Sequence, residues 1–529
     1  MRPPNSNDNK KKSMLVYIVA SLLLGLSLFV RVYNLDGKFY WIDEVSSSFA
    51  ITGHWPEHIE QQLSQKVGQI ISIGQFQDFL EHKPISDTGP LVSSLLKRDP
   101  QHSPLYFILA QKWATIFGAS PQSLRMASAF LSFLGIPIFV WLCIELFGSL
   151  LAGMVGLGIV AIAPFPVLFS QQNREYGMWF TLCALSTVIL LLANRKNTYP
   201  YWVAYGFSVA VSLYTFLFSL PFLVSHLLFQ RIELKKYSDS RFRRFIIAFS
   251  LGILAYTPWL INIFINREQV LRLNDWSSKY LDPAIYLQGL LLNVSRLFVD
   301  FGLPSFKPLP WKHLELLLPI LIAVAIAITS LSLSARRLTH SKRILIISMF
   351  AIPILFLFLM DIVAGKGIHA LVARQLMPSW MAIYLSVTFS VTFGLNSKSF
   401  TKNGFAFGAL ILVLIFETIS MMSYLPERQW WTLKPKPIFN DVLVIESTNP
   451  DLLIVTESEI ELKEFLSIGY SLKPELPLLA LNENDILPNL DKFQKITLYH
   501  PSQRLLEKIK SNFATEEISK EIWLVRSRF

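Results

Sequence analysis

Long, nearly uncharged apolar runs alternate with short polar segments from the N-terminus to about residue 426. A run of about 18 or more apolar residues can cross the roughly 30 Å hydrocarbon core of a bilayer as a helix. The pattern therefore predicts about eleven membrane-spanning helices. They lie at 14–30, 126–146, 151–169, 178–193, 201–217, 219–230, 245–265, 313–334, 344–363, 376–394 and 404–424. The stretch 201–230 is divided in two because Pro221 is expected to break a helix.

Composition agrees with this pattern. Of the 529 residues, 52% are hydrophobic and only 16% are charged, whereas soluble domains carry roughly 25% charged residues. A single soluble core, a disordered chain and a disulfide scaffold are excluded, and no nucleic-acid partner is expected. Both cysteines, Cys143 and Cys183, lie inside apolar runs, so we expect no structural disulfide.

Basic residues indicate the orientation, since short loops rich in Lys and Arg stay in the cytoplasm. Lys10 to Lys12 place the polar tail 1–13 inside. With alternating spans, the later basic clusters also lie inside. They are Arg195-Lys196, Arg231 to Arg244, Arg336 to Arg343 and Lys398 to Lys402. The outer side then receives the segments 31–125, 170–177, 266–311 and 364–375. We expect a multi-pass protein of the plasma (inner) membrane.

The segment Leu105 to Phe117 tests this scheme. It is apolar but short, and it carries Lys112. If it crossed the membrane, every later basic cluster would move outside. We therefore interpret it as a helix that lies in the interface or dips into the membrane.

The composition changes from about Glu427. Short β-like runs at 441–445, 451–455, 495–500 and 521–527 alternate with a helical pattern around 504–513. The predicted fold class is thus mostly α, with a transmembrane domain at 14–426. A small α/β domain follows at 427–529, outside the cytoplasm.

Four polar constellations interrupt the apolar pattern on the predicted outer side. The first is Asp43-Glu44, which follows an aromatic cluster and precedes a loop of roughly 60 residues. The second is His102 with Tyr106, followed by Arg125 at the start of a span. The third is the turn Arg174-Glu175-Tyr176, and the fourth is the turn with Lys366, His369 and Arg374.

Each constellation has a structural explanation as well as a chemical one. An aromatic belt, a histidine at a proline turn and arginines that reach towards lipid headgroups would all look alike in sequence. Together, however, they place two carboxylates and several arginines at one membrane face. Arginine binds phosphate in bidentate fashion, and a carboxylate can deprotonate a hydroxyl. This combination suits a reaction with an anionic lipid phosphate.

The order of these motifs resembles a known family. Asp-Glu in a long outer loop is followed by His-x-Pro-Leu-Tyr, Phe117-Gly118, Leu124-Arg125, Leu146-Phe147-Gly148 and Ser-Gln-x-x-Arg-x-Tyr. This order is similar to the protein O-mannosyltransferase and aminoarabinose transferase group of GT-C fold, family-39-type glycosyltransferases. The resemblance covers roughly residues 28–195. It implies an integral membrane enzyme that transfers sugar from a polyprenyl-phosphate donor.

The resemblance also implies roles for individual residues. The family's acidic pair falls on Asp43 and Glu44, with Asp43 as the base. Its arginines fall on Arg31 and Arg125, and we add the arginines of the two outer turns, Arg174 and Arg374, as donor-phosphate ligands. The cavity candidates are His102, Tyr106, Glu175, Tyr176 and Lys366. The family usually has glutamate at position 172 and proline at 175, where this chain has Gln172 and Glu175.

The expected reaction inverts C1 of the sugar and takes place outside the cytoplasm. The acceptor is left open between a protein hydroxyl, a lipid and a glycan, and so is the sugar. No phosphate-binding glycine loop and no zinc motif are present, so we expect no required cofactor. A weakly held divalent cation near Asp43 and Glu44 is left open.

Two other functions fit a polytopic chain. A transporter or lipid flippase predicts repeats between halves and broken helices at the bilayer midplane, and the sequence indicates neither. A non-enzymatic scaffold that displays the C-terminal domain has no use for the polar outer turns.

Overall fold

A computed structural model shows the fold of the chain. The described residues are 6–81, 84, 87–233, 239–278, 280–305, 307–308, 315–363, 367–431, 438–456, 461–482, 485, 487–490 and 492–526. Within them the chain is mostly helical, and a single small sheet accompanies the helices.

Twenty-three α-helices follow one another within the described residues. They are α1 (Ser6–Val32), α2 (Ile42–Thr52), α3 (Pro56–Ser64), α4 (Ile73–Glu81), α5 (Thr88–Arg98), α6 (Leu105–Phe117), α7 (Pro121–Phe133), α8 (Gly135–Phe147), α9 (Leu150–Ala161), α10 (Pro164–Ser170), α11 (Tyr176–Lys196), α12 (Tyr199–Thr215), α13 (Ser219–Glu233), α14 (Asp239–Ile265), α15 (Arg267–Asn274), α16 (Pro283–Ser295), α17 (Leu317–Arg337), α18 (His340–Val363), α19 (Met377–Leu395), α20 (Phe400–Tyr424), α21 (Ile438–Thr448), α22 (Leu462–Ser471) and α23 (Gln503–Asn512).

Six strands form the sheet. They are β1 (Ile70–Ser72), β2 (Leu452–Thr456), β3 (Pro477–Leu481), β4 (Lys495–Tyr499), β5 (Ala514–Ser519) and β6 (Ile522–Arg526).

Eight helical stretches in the described part of the chain are long and apolar enough to cross a membrane. They correspond to eight of the eleven spans expected from the sequence. They are Met14–Val32, Pro121–Phe147, Tyr176–Lys196, Ser240–Ile265, Leu317–Arg337, His340–Val363, Ala373–Leu395 and Phe400–Tyr424. The helix Leu105–Phe117 has 13 residues, about 20 Å at 1.5 Å per residue, and is too short to span.

The remaining three expected spans differ from simple membrane helices. The stretch 151–169 is a pair of helices, α9 and α10, with a 60° bend between them. The sequence did not indicate this break. The stretches 201–217 and 219–230 are helices of 17 and 15 residues. The interruption between them lies at 216–218, and Pro221 falls in the first turn of α13, where its missing N–H costs no hydrogen bond.

The chain divides into two compact units. The helical unit comprises Met1–Leu35, Val92–Tyr106 and Arg125–Pro426. The α/β unit comprises Asp36–Leu91, Phe107–Leu124 and Glu427–Phe529. The C-terminal residues thus share their unit with much of the long loop that follows the first span.

The helical unit is a multi-pass membrane bundle. In the membrane-spanning segments of α11 and α19, 83% of the residues are buried inside the protein, whereas only 17% are buried in that of α1. Apolar side chains cover the exposed faces of the outer helices, as expected for surfaces in contact with lipid. α11 and α19 therefore form the interior of the bundle. The free thiols of Cys143 and Cys183 are both buried in it.

A close contact between α12 and α14 depends on glycine. A Cβ atom added at Gly252 would lie 2.6 Å from the carbonyl oxygen of Gly206 and 2.7 Å from Val209. Small residues at such positions let two membrane helices approach closely. The backbones of α12 and α14 touch because both positions lack a side chain.

The sheet of the α/β unit has the order β1-β3-β2-β4-β6-β5. β3, β2 and β4 are parallel, and the outer strands are antiparallel to their neighbours. Side chains alternate along β2, as they must in a strand. Leu453 and Val455 pack with α2, α4, α21 and α22 on one face. Leu452 and Ile454 pack with α23 on the other face.

The sequence predicted part of this unit. The strands expected at 451–455, 495–500 and 521–527 and the helix at 504–513 are present as β2, β4, β6 and α23. The strand predicted at 441–445 is wrong, because these residues lie in helix α21. Short apolar runs do not distinguish a strand from a buried helix. Val442 and Ile445 are three residues apart, so a helix places both side chains on one face, where they pack in the same core.

We expect Gly252→Val to lower the free energy of unfolding by about 1–3 kcal/mol, because the new side chain would collide with the backbone of α12. Thermal unfolding in detergent measures the change. Gly408→Val is the matched control, since a Cβ at Gly408 in α20 meets no atom within 4 Å. Equal melting temperatures for the two variants would contradict the close contact.

Candidate functional site

The two candidate carboxylates belong to the α/β unit. Asp43 and Glu44 occupy the first turn of α2, where the positive end of the helix macrodipole stabilises negative charge. The side chain of Glu44 is fully buried, and that of Asp43 is partly exposed. The hydroxyl of Ser47 donates to the backbone carbonyl of Asp43 at 3.0 Å. Asp43 is thus the more accessible of the two carboxylates.

The rest of the α/β unit holds the start of α2 in place. The N–H of Phe39 donates to the carbonyl of Arg428 at 2.8 Å, and Ser467 donates to the carbonyl of Tyr40. The Tyr40 hydroxyl is hydrogen-bonded to Ser48 Oγ at 2.6 Å. The segment before Asp43 is therefore held by residues of the C-terminal region.

The turn 171–175 lies in the helical unit and connects α10 to α11. Arg174 Nη2 lies 2.7 Å from Nε2 of His102. Because a guanidinium can only donate, this ring nitrogen accepts. The other ring nitrogen, Nδ1, lies 2.8 Å from Asp99 Oδ2. His102 therefore lies between Asp99 and Arg174.

Glu175 is buried beside this link. Its Oε2 lies 3.5 Å from Arg174 Nε and its Oε1 3.9 Å from His102 Nε2. Neither oxygen accepts a hydrogen bond from the described residues. Glu175 therefore lies beside Arg174 without a fixed hydrogen bond.

Tyr106 joins the same turn to two helices. Its hydroxyl donates to Asn173 Oδ1 at 2.7 Å and is hydrogen-bonded to Ser128 Oγ at 2.6 Å. His102 and Tyr106 thus both contact the turn 171–175, one through Arg174 and the other through Asn173. The sequence did not single out Asn173, which is fully buried.

The C-terminal half of α14 supports the segment that carries His102. Trp259 Nε1 donates to the carbonyl of Pro100 at 3.0 Å, and Asn262 Nδ2 donates to that of Leu96 at 3.0 Å. The hydroxyls of Ser103 and Tyr256 are 2.8 Å apart. These contacts fix the turn before α6.

Arg174 and Arg374 meet at one aromatic ring. The guanidinium carbons lie 5.7 and 5.6 Å from the centroid of Tyr176. Arg374 also lies 5.7 Å from the ring of Trp276. These four residues, which we call the arginine cluster, come from three separate segments. The turns that carry Arg174 and Arg374 therefore lie close together in the structure.

The arginine cluster lies where the two buried helices begin. Arg174 precedes α11 by two residues, and Arg374 precedes α19 by three. The N-terminus of a helix carries the equivalent of about half a positive charge. Two guanidinium groups at two such ends create a strongly positive region. A bound anion would be stabilised there by charge and by bidentate hydrogen bonds.

Arg125 and Arg31 lie deeper in the helical unit. Arg125 Nη1 donates to the carbonyl of Leu35 at 2.6 Å. Arg31 Nη1 donates to the carbonyl of Ala161 at 2.8 Å and to the carbonyl and hydroxyl of Ser27 at 2.9 and 2.6 Å. Both side chains are almost completely buried. In this structure Arg31 joins α1 to the end of α9.

The last candidates concern Lys366 and metal ions. Lys366 lies outside the described residues. Among the residues that the structure describes, no group of three or more His, Cys, Asp and Glu side chains is arranged to hold a metal ion.

The chain resembles known proteins among solved structures. No family model and no curated protein sequence matches the chain. Among solved structures, ArnT from Cupriavidus metallidurans bound to undecaprenyl phosphate is 12% identical. The match covers 97% of this chain and 98% of that chain, with a TM-score of 0.46. The apo state of the same protein is 11% identical, covers 98% of each chain and has a TM-score of 0.46.

A third match is the oligosaccharyltransferase of Archaeoglobus fulgidus, tethered by a disulfide bond to an acceptor peptide that contains the NVT sequon. It is 12% identical, with a TM-score of 0.48. The match covers 89% of this chain and 64% of that chain. Because the identities are 11–12% and the TM-scores are below 0.5, the residues of the chain itself carry the functional proposal.

We expect Arg31→Leu to lower the free energy of unfolding by about 3 kcal/mol or more, because it leaves buried carbonyl oxygens without a donor. Thermal unfolding in detergent measures this loss. Binding of undecaprenyl phosphate to the folded fraction distinguishes the two possible roles. Unchanged affinity indicates a purely structural arginine, whereas affinity weakened at least about tenfold would support the phosphate contact predicted from the sequence.

Proposed function

We propose that this chain is an integral membrane glycosyltransferase. It moves a sugar from a polyprenyl-phosphate-linked donor to an acceptor hydroxyl on the extracytoplasmic side, with inversion at C1. The acceptor is a protein, a lipid or a glycan. The observation that carries the proposal is the arginine cluster at the starts of α11 and α19.

The arginine cluster combines two guanidinium groups with two helix N-termini. A helix N-terminus carries partial positive charge, so the side chains and the backbone both attract an anion at this place. The aromatic faces of Tyr176 and Trp276 contact the same guanidinium groups and stabilise them further. The chemistry of the cluster therefore suits a phosphate carried on a lipid that reaches the bundle from the membrane.

The direction of the helices supports the extracytoplasmic side. α11 starts at the arginine cluster and ends at Arg195-Lys196, and α17 ends at Arg336-Arg337. α18 starts with basic residues and ends near Asp361. Basic clusters thus lie at the helix ends remote from the arginine cluster. Since such clusters favour the cytoplasm, the direction of these helices supports an arginine cluster on the extracytoplasmic side.

The proposed reaction needs a base and a stabilised leaving group. The acceptor oxygen attacks C1, its proton passes to the carboxylate of Asp43, and the bond between C1 and the phosphate oxygen breaks. The electron pair of that bond remains on the phosphate, where Arg174 and Arg374 stabilise the added charge. Arg125 and Arg31 remain predicted further ligands, and Glu44 is the partner that orients Asp43.

Lipid transport is the second candidate, because the α9–α10 pair is bent by 60° and broken helices are common in transporters. The seven residues of α10 nevertheless lead directly into the turn 171–175, so the break lies near one end of the bundle. Reconstituted vesicles with a fluorescent polyprenyl-phosphate sugar separate the two functions. Movement of the lipid between leaflets without sugar transfer would support transport.

We expect Asp43→Asn to lower sugar transfer roughly 10²–10⁴-fold, because the acceptor then has no base. The assay measures release of undecaprenyl phosphate from radiolabelled undecaprenyl-phosphate sugars in membranes that contain the variant. Parallel assays with EDTA test the divalent ion left open near Asp43 and Glu44. Asp36→Asn is the matched control, since Asp36 is an exposed aspartate in the same loop. Undiminished turnover by Asp43→Asn would exclude its role as the base.

We expect Arg374→Lys to lower kcat/KM roughly 10²-fold. Lysine keeps the charge but loses the planar fork and the stacking on Tyr176 and Trp276. Steady-state kinetics against the same donors measure the effect. Arg336→Lys, at an exposed arginine on the opposite end of the bundle, should leave kcat/KM unchanged. Equal effects of the two substitutions would mean that Arg374 acts only through its charge or the fold.

A further inference from the structure

A second polar network lies in the helical unit and centres on Asp361, in the last turn of α18. Its Oδ1 accepts from the backbone N–H of His369 at 2.9 Å and lies 2.6 Å from Nδ1 of the same histidine. Its Oδ2 accepts from the N–H of Ala370 at 3.1 Å and from the hydroxyl of Tyr286 at 3.0 Å. A single carboxylate thus binds four donors from two other segments.

Tyr286 is a permanent donor in this network. Burial raises the pKa of its phenol, and the neighbouring charge of Asp361 raises it further. The phenol therefore stays protonated over the physiological range. Its helix, α16, makes a second contact with the same turn, because Asn293 Nδ2 donates to the carbonyl of Leu371 at 2.9 Å.

His369 extends the network to a third segment. Its Nε2 lies 3.0 Å from Ser277 Oγ, and the N–H of Ile368 donates to the carbonyl of Ser277 at 3.0 Å. We call Asp361, His369, Ser277 and Tyr286 the Asp361 clasp. It joins the end of α18, the turn 368–371, the short 3₁₀ turn Asp275–Ser277 and α16.

The segments joined by the Asp361 clasp carry two members of the arginine cluster. Trp276 is adjacent to Ser277. Arg374 follows the turn 368–371, and its backbone is held by Trp380 Nε1, which donates to the carbonyl of Ala373 at 2.7 Å. The Trp276 ring and the Arg374 guanidinium are 5.7 Å apart. The clasp therefore determines how these two side chains face each other.

We propose that Asp361 is a positioning residue for the donor phosphate: through His369 and Ser277 it sets the distance between Trp276 and Arg374. This inference rests on the proposed function. Without the carboxylate, the turn 368–371 and the turn Asp275–Ser277 lose their common anchor. Arg374 then keeps its charge but loses its fixed orientation.

Gly367 shows how closely the turn approaches the carboxylate. A Cβ atom at this position would collide with Oδ1 of Asp361. The absence of a side chain at 367 therefore allows the turn to reach Asp361. Both the carboxylate and the glycine are needed for the same contact.

Ser277, His369 and Asp361 have the spacing of a nucleophilic triad, but their hydrogen bonds favour the positioning role. The Ser277 hydroxyl donates to the carbonyl of Asn274 at 2.6 Å, so it has no second proton for His369. Ser277 is also only 1% exposed, which leaves no room for an attacking group to meet a substrate.

The test compares Asp361→Asn with Asp282→Asn in the full-length protein in detergent. Asp282 is an exposed aspartate that caps α16 through Ala284 and does not contact the turn 368–371. For Asp361→Asn we expect KM for the donor and the Kd for undecaprenyl phosphate to rise about 10- to 100-fold, as when outer partners of binding residues are removed. We expect kcat per folded molecule to change much less, and Asp282→Asn to change neither constant.

Tyr286→Phe is the second variant, in case Asp361→Asn folds poorly. It removes one donor and keeps the ring, and we expect a rise of about threefold to tenfold in the same two constants. A lower melting temperature with unchanged KM and Kd in both variants would show a purely structural clasp and overturn the proposal. Loss of turnover in Ser277→Ala at unchanged KM would indicate a nucleophilic serine and overturn it as well.

Inorganic phosphate is the comparison ligand, because it presents the same anion without a lipid. The clasp predicts that Asp361→Asn weakens both ligands. If the wild-type protein transfers no sugar, the proposed function fails. The proposed role of the Asp361 clasp is then tested by the binding of undecaprenyl phosphate alone. If transfer is normal but Asp361→Asn leaves KM and Kd unchanged, only the clasp fails.

Discussion

Backbone carbonyl groups at helix ends that stop inside the bundle must find donors within the protein, because lipid offers none. Arg31 supplies donors for the end of α9, and Arg125 supplies one for Leu35 just after α1. Gln171 donates to the carbonyls of Val30 and Tyr33 at 2.8 and 3.0 Å. These polar side chains gather at one end of the helices. The same requirement that stabilises the bundle thus brings the turn 171–175 against the end of α1.

The position of the arginine cluster follows from this arrangement. Once Gln171 holds its turn against α1, Arg174 and Tyr176 have fixed places at the start of α11. Arg374 then reaches the same ring from the start of α19. Both guanidinium groups and both helix N-termini contribute positive charge at this place. In the proposed function, this fixed charge stabilises the leaving phosphate without rearrangement.

Sequence patterns predicted the membrane helices well, because long apolar runs have one stable solution in a bilayer. They predicted the α/β unit less well. The run 441–445 is as apolar as the run 451–455, most of which forms β2, and tertiary contacts decide between helix and strand. β1 was not predicted, because three residues at 70–72 become a strand only by pairing with β3. The break between α9 and α10 was also missed, since the run 151–169 is apolar throughout.

The candidate site, like the fold, was predicted from the sequence only in part. Arg174 and Arg374 were placed on one side from the alternation of spans alone. Asp361 was missed because it lies within the apolar run 344–363, and its partners are hydrogen-bond donors from other segments. One signal was available, since an acidic residue inside a membrane segment is costly and usually has a partner. His369, eight residues later, is that partner.

The pairing of β1 with β3 has a consequence for biosynthesis. Ile70 faces Leu479 in the sheet, so roughly 400 residues must be made between the first and the second partner. At about 5–20 residues per second, translation of this interval takes on the order of 20–80 s. During this delay β1 has no partner, and the loop that holds Asp43 lacks the residues that anchor it. The α/β unit must therefore mature after the membrane helices have been synthesised.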